Sequence, residues 1–322
     1  MKKRIIAFVL VFVLSLAVLA SCAKNDTATF KLGVLKGPTG FGAISLIDKA
    51  ENGQTKNKYD FTIDSASDAV TSALLSGELD IAFLPSNAAA MLYNKTEGKI
   101  SVVGVATLGI LYVVTRDDSI KTLADLKDKK VVTSGAGSTA EYATSYIFSE
   151  NGLVPGENVT LDYASEHSEA AAQLISGAYD AAILPEPFVT SSIMQDDTLK
   201  SVISLTEEWS KLNDSELCMA AIAVRSDVVE KNPEAIDTFL TEYTESAEFV
   251  AKNPEESAQL IEKYDIMKAA AAQKAIPNCN IVSITGEEMK NDLIGVYEIL
   301  FQANPKSIGG AMPKDDFYYI GK

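Results

Sequence analysis

Ser76-Gly-Glu-Leu-Asp-Ile-Ala-Phe-Leu-Pro85 returns one hundred residues later as Ser176-Gly-Ala-Tyr-Asp-Ala-Ala-Ile-Leu-Pro185, with six of the ten positions identical. A helical pattern with a polar start precedes each copy, through Val70, Ala73 and Leu74 in the first and Ala171, Leu174 and Ile175 in the second. Gly77 and Gly177 suit the left-handed turn that ends such a helix, because a residue without Cβ meets no steric penalty there. The apolar runs after Asp80 and Asp180 then read as short buried strands, each stopped by a proline that cannot donate to a sheet ladder.

Upstream of each copy the parallel continues. Lys31-Leu-Gly-Val-Leu35 and Lys130-Val-Val-Thr133 read as strands, followed by the glycine-rich stretches 37–42 and 134–139 and a helical pattern. Each half is therefore strand, loop, helix, strand, helix, strand. That order predicts an α/β protein of two lobes, each a largely parallel sheet flanked by helices. Two stretches rich in β-formers, Val102–Arg116 and Leu217–Arg225, fit two hinge crossings between the lobes. Beyond Arg225, Asn232-Pro-Glu234 and Asn253-Pro-Glu255 each supply an N-cap, a first-turn proline and an acid at the positive end of a helix. Ile236, Phe239, Leu240, Tyr243, Ala247 and Val250 form one apolar stripe, and Thr285–Glu288 is a capping box that opens a further helix. These C-terminal helices are expected to clothe lobe 1.

The chain has 322 residues, 47% hydrophobic and 22% charged, which leaves room for about two packed domains. A formal charge of −16 makes nucleic acid a poor partner, since phosphate backbones need a concentrated basic face. Arg4, Arg116 and Arg225 are the only arginines, so guanidinium clamps are scarce. His167 is the only histidine, which removes His-rich metal sites and leaves a triad one candidate base. In its setting it reads as a neighbour of a helix cap rather than a base. No Gly-x-Ser-x-Gly elbow, Cys-x-x-Cys, His-x-x-x-His or Walker loop is present. Gly135-x-Gly137-x-x-Ala140 meets the dinucleotide fingerprint only loosely, and Asp80 and Asp180 read as strand-opening acids rather than a catalytic pair. Binding without catalysis, and without metal or cofactor, is the simpler expectation.

The N-terminus carries its own signal. Lys2, Lys3 and Arg4 precede an apolar run from Ile5 to Ala20, sixteen residues that fall short of the roughly 20 a membrane-spanning helix needs. Removing residues 1–21 as a secretory signal takes away three positive charges and no negative ones, which moves the formal charge from −16 to −19. The short polar stretch after it reads as a tether. The division expected is a signal at 1–21, a tether at 22–30, lobe 1 at 31–110, lobe 2 at 111–222, and the lobe 1 return with its helices at 223–322. Cys218 and Cys279 are expected as two buried free thiols.

Open α/β sheets bind ligands beyond the carboxyl ends of their strands, where helix N-termini offer unpaired N–H groups and partial positive charge. Four segments should gather there: 39–41, 85–87, 134–139 and 185–187. The hydroxyls of Thr39, Ser134, Ser138 and Thr139 can donate to a polar ligand. Glu186, between two prolines, can accept hydrogen bonds from an amine or aminopyrimidine. Phe41, Tyr112, Tyr142 and Phe188 are candidate stacking surfaces, and Trp209 reads as packing.

Leu19-Ala-Ser-Cys22 resembles the lipobox of bacterial lipoproteins, which implies that Cys22 is acylated and becomes the mature N-terminus. Together with the Ser-Gly-x-x-Asp-x-Ala-x-Leu-Pro repeat and Leu123-Ala-Asp-Leu-Lys-Asp-Lys-Lys-Val131, it resembles an ABC-transporter substrate-binding lipoprotein. The branch is the one that includes sulfonate-, taurine-, nitrate- and thiamine-precursor-binding proteins. The resemblance implies a type II periplasmic-binding fold that closes on a small solute, here a thiamine-precursor-like heterocycle or a sulfonate-type compound. It implies a monomer, held outside the cytoplasm by its lipid, that delivers the solute to a permease driven by a separate ATPase. Carried over by position, the ligand contacts are Thr39, Gly40, Phe41, Ser86 and Asn87 from lobe 1. Those from lobe 2 are Ser134, Gly137, Ser138, Thr139 and Glu186, with Tyr112 near the hinge. Two alternatives share the fold: an enzyme like the pyrimidine-precursor synthases, and a ligand-sensing lipoprotein that serves a receptor kinase.

Overall fold

The computed structural model describes residues 28–321; the signal-like start and Cys22 lie outside them. The first run is β1 (Thr29–Leu35), α1 (Pro38–Glu51), β2 (Lys58–Asp64), α2 (Ser67–Ser76), β3 (Ile81–Pro85), α3 (Ser86–Lys95) and β4 (Ile100–Thr107). The second is β5 (Leu111–Thr115), β6 (Lys130–Thr133), α4 (Thr139–Glu150), β7 (Thr160–Tyr163), α5 (His167–Ile175), β8 (Ala181–Pro185), α6 (Phe188–Gln195), β9 (Lys200–Ser204) and α7 (Leu205–Ser210). The chain returns through β10 (Ala220–Arg225), α8 (Ser226–Lys231), α9 (Pro233–Lys252), α10 (Pro254–Lys263), α11 (Ala269–Ala275), β11 (Ile281–Ile284) and α12 (Gly286–Ala303).

Two sheets result, in the orders β11-β4-β10-β3-β1-β2 and β7-β6-β8-β5-β9. Each holds a parallel trio, β2-β1-β3 and β7-β6-β8. Beside each repeat strand lies an antiparallel neighbour that has just crossed from the other lobe, with Ala220 opposite Pro85 and Leu111 opposite Pro185. The sheets are therefore mixed, because a strand that enters from the far lobe runs against the strands of the lobe it joins.

The repeat earns its identity in backbone bonds. The Lys31 N–H donates to Asp80 Oδ2 at 2.9 Å, and the Lys130 N–H donates to Asp180 Oδ2 at 2.8 Å. Each acid thus ties the start of its strand to the neighbouring one. Gly77 and Gly177 take φ of +81° and +78°, the conformation a side chain would strain. Arg225 donates to the Gly77 carbonyl and Arg116 to the carbonyls of Leu174 and Ile175. Two of the three arginines are therefore spent on helix ends at equivalent places in the two halves.

Ile236, Phe239, Tyr243, Ala247 and Val250 of α9 are buried against lobe 1, as their spacing predicts, and Leu240 is half-buried. Each large side chain so buried contributes about 1.5–3 kcal/mol. α12 does more than clothe that lobe. Its Met289, Leu293, Val296, Tyr297 and Leu300 share one apolar cluster with Val102 and Ala221 of lobe 1 and with Val113, Phe148 and Trp209 of lobe 2. The Tyr297 hydroxyl donates to the Ser86 carbonyl at 2.9 Å, at the start of α3. Cys218 and Cys279 are free and buried in separate clusters.

Candidate functional site

A cavity of about 400 Å³ opens between the carboxyl ends of the two sheets. Six helices start at its wall: Pro38 and Thr39 in α1, Ser67 and Asp68 in α2, Asn87 and Ala88 in α3, Thr139 and Ala140 in α4, His167 in α5, and Phe188 in α6. The βα order dictates this convergence, since a helix that follows a parallel strand begins where that strand ends. Each start adds a partial positive charge and N–H groups without intrahelical partners. Lys36 is the only lysine or arginine in the described wall, and it pairs with Asp265 at 3.3 Å.

The loop that opens α4 is built for close approach. Gly135 and Gly137 hold φ of +81° and +77°, and a Cβ at Gly137 would meet nothing within 4 Å. Ser138 folds back, its N–H donating to the Gly135 carbonyl at 3.1 Å and its hydroxyl to the same atom at 2.5 Å. The turn is locked while its outer surface stays open to a solute.

Across the cleft the lobes touch directly. The Asn87 N–H donates to Thr139 Oγ1 at 3.1 Å, and that hydroxyl donates to Asn87 Oδ1 at 3.0 Å. Asn87 Nδ2 donates to the Gly137 carbonyl at 2.9 Å and to the Ser307 carbonyl at 3.2 Å. Ser86 Oγ lies 3.3 Å from Thr139 Oγ1 and donates to the Cys218 carbonyl of the second crossing.

Glu186 borders the cavity at 3% exposure. Its carboxylate accepts from the Thr190 N–H at 3.1 Å and the Thr190 hydroxyl at 3.0 Å. Burial raises its pKa, against the pull of the hydrogen bonds from Thr190 and Asn278, and no cation offsets it. Its hydrogen-bond donors are neutral, so the buried carboxylate still lacks a positive partner. His167 also borders the cavity; its Nδ1 engages the Ser134 hydroxyl and its ring packs on Phe188 at 5.2 Å. Burial lowers its pKa, so the ring is neutral at pH 7.

Of the residues expected at the site, Thr39, Asn87, Gly137, Ser138, Thr139 and Glu186 border the cavity, as does Phe188. Thr39, however, spends its hydroxyl on the Leu35 carbonyl at 3.2 Å. Phe41 is corrected outright: it is fully buried in the lobe 1 core with Phe83 and Tyr243, because the fourth residue of α1 faces the sheet instead of the cleft. Gly40 sits behind the wall, where a Cβ would lie 2.7 Å from the Leu35 carbonyl. Ser86 and Ser134 also stand behind it, and Tyr112 projects from β5 among lobe 2 side chains, outside the cavity wall. Tyr142 is likewise outside it.

His167 stands beside a helix cap, as its setting in the sequence predicts, directly after the N-cap Glu166 of α5, and it also borders the cleft. The offset of the repeat could have found it: one hundred residues before His167 is Ser67, and both open a helix at the cavity. Thr107, at the end of β4, reads in the sequence as part of a hinge and borders the cavity as well. No helix of the described residues is long and apolar enough to cross a membrane, and among them no group of three or more His, Cys, Asp or Glu side chains is placed to hold a metal ion.

Comparison with known proteins gives this geometry a family. A binding protein of Brucella abortus is 23% identical over 254 residues, covering 77% of this chain and 76% of its own. An ABC transporter structure from Parabacteroides distasonis superposes with a TM-score of 0.78 at 26% identity, covering 91% of this chain and 99% of that one. The periplasmic aliphatic sulphonate binding protein SsuA of Escherichia coli superposes at 0.73 with 18% identity, covering 91% and 92%. The family model described as ABC transporter, phosphonate, periplasmic substrate-binding protein matches residues 53–275. A match of that extent, on a two-lobed fold whose helix starts meet at one cleft, makes the chain a member of that family, an extracytoplasmic substrate-binding protein of an ABC importer.

Proposed function

We propose that this protein captures a small organic oxyanion of the phosphonate or sulfonate class, bearing an amine or other N–H donor, and delivers it to its permease. The observation that carries the reading is the meeting of six helix starts at one cavity with a single lysine and no arginine in its wall. Backbone dipoles then supply the positive field that the side chains do not, and an oxyanion is what they favour. Glu186, buried without a cation, supports the second half of the reading, since a protonated amine would complete it. The phosphonate description of the family and the sulphonate specificity in the name of SsuA point to the same two classes.

The reading includes no reaction, in keeping with a family of solute-binding proteins. It also includes action as a monomer, together with export, acylation at Cys22 and a tether to the membrane, the last three supported by the basic start, the apolar run and Leu19-Ala-Ser-Cys22. A second reading, a nitrogen heterocycle such as a thiamine-precursor pyrimidine, is favoured by the His167–Phe188 ring pair beside Glu186. Calorimetry with aminoethylphosphonate, aminoethanesulfonate and an aminopyrimidine decides. Binding of either oxyanion supports the first reading. Binding of the pyrimidine alone overturns it in favour of the second.

A further inference from the structure

Thr107 is the last residue of β4 and stands beside the first crossing. It is 1% exposed, borders the cavity, and its Oγ1 has no hydrogen-bond partner. A buried hydroxyl left unpaired is costly, and of the four such hydroxyls among the described residues, on Thr107, Thr206, Ser257 and Tyr318, only that of Thr107 belongs to a residue bordering the cavity. Its surroundings offer no relief, because the neighbouring cavity residues Ile110, Met219 and Ala220 bring apolar side chains. Nor can the residue move away to find a partner. The Met219 N–H donates to its carbonyl at 2.9 Å, and β4 is paired there with both Ala220 and Ile281. The β-branched side chain has few rotamers to choose from. The residue is thus held in place at the cavity wall, its hydroxyl buried just behind that surface with donor and acceptor capacity unspent.

We infer that the Thr107 hydroxyl is a solute contact, one that selects for a hydrogen-bonding substituent on the part of the ligand nearest the crossing. The inference rests on the oxyanion reading above and adds to it a specificity residue. The helix starts hold the oxyanion, and Thr107 reads whether the remainder of the solute carries a polar group. A solute with a plain alkyl chain leaves the hydroxyl unpaired; one with an amine or hydroxyl pairs it.

The test uses Thr107→Val, which keeps the shape and removes the hydroxyl, with Thr206→Val as control. Thr206 carries a second unpartnered buried hydroxyl but does not border the cavity. Affinities for aminoethylphosphonate and ethylphosphonate are measured by calorimetry, and melting temperatures of the solute-free proteins by scanning. Thr107→Val is expected to weaken aminoethylphosphonate binding by roughly fivefold, with little change for ethylphosphonate and no drop in melting temperature. Thr206→Val is expected to change neither affinity. Equal affinities in the unmodified chain and Thr107→Val overturn the inference alone, as does a lowered melting temperature with both affinities intact. Failure of the unmodified chain to bind either phosphonate overturns the phosphonate reading and this inference with it.

Discussion

Asn87 and Thr139, from opposite lobes, are joined by two reciprocal hydrogen bonds of 3.1 and 3.0 Å. Sequence reasoning assigns both to the solute, yet they spend their polar atoms on each other. Such bonds are worth about 0.5–1.5 kcal/mol each, so the pair biases the solute-free chain toward the shut form. Thr139→Val removes the hydroxyl and keeps the shape. The variant is expected to show a larger radius of gyration without solute by small-angle scattering. Its affinity should fall by no more than about tenfold, and by the same factor for every solute, because only the closed population has changed. A loss confined to one solute would return Thr139 to the list of direct contacts.

Glu186 makes an opposite demand. Its buried carboxylate is unfavourable to ionise in the solute-free fold and favourable once an amine is present. Glu186→Gln should therefore raise the melting temperature without solute. Affinity for aminoethylphosphonate should drop at least about tenfold, the scale of a lost charged hydrogen bond, and affinity for ethylphosphonate should hold. Calorimetry and scanning on the same preparations check both directions.

The pH dependence follows from the same group. Burial places the Glu186 pKa above the ordinary carboxylate value, so the folded chain takes up this proton at higher pH than the unfolded chain does. Stability from this group is accordingly present at low pH and is lost as pH rises through the raised value. Amine binding runs the other way and weakens as pH falls through that value. Aminoethanesulfonate is the suitable probe, since its sulfonate stays ionised throughout. His167 contributes no step near neutrality because burial lowers its pKa, and the nearby Tyr112 and Cys279 are both raised, so they stay neutral. Ethanesulfonate titrated alongside should show a flat profile.

Cys22 can be tested in cells. Cys22→Ser is expected to abolish incorporation of labelled fatty acid and to release the protein from membranes into the soluble fraction. Continued labelling would reject Leu19-Ala-Ser-Cys22 as a lipidation site.

The fold was legible where a residue performs a backbone task that few others can. Asp80 and Asp180 tie strands together, Gly77 and Gly177 turn left-handed, and Pro85 and Pro185 end ladders, so the two halves announce themselves. The cleft was legible as a place, because helix starts must follow parallel strands. Individual side chains were less so. Phe41 lies within a glycine-rich stretch that points to the cleft, but its own position on α1 turns it to the core. The unpaired state of Thr107 depends on Met219, Ala220 and Ile281 arriving from distant parts of the chain, and no local pattern records that.

The way α12 grips both lobes fixes how the molecule can gape. With Leu293, Val296 and Tyr297 seated on one shared cluster, that flank works as a spine and the opposite flank as the jaw. Separation by a wide swing would strip apolar surface from the spine, at a cost of about 25 cal/mol for each Å² exposed.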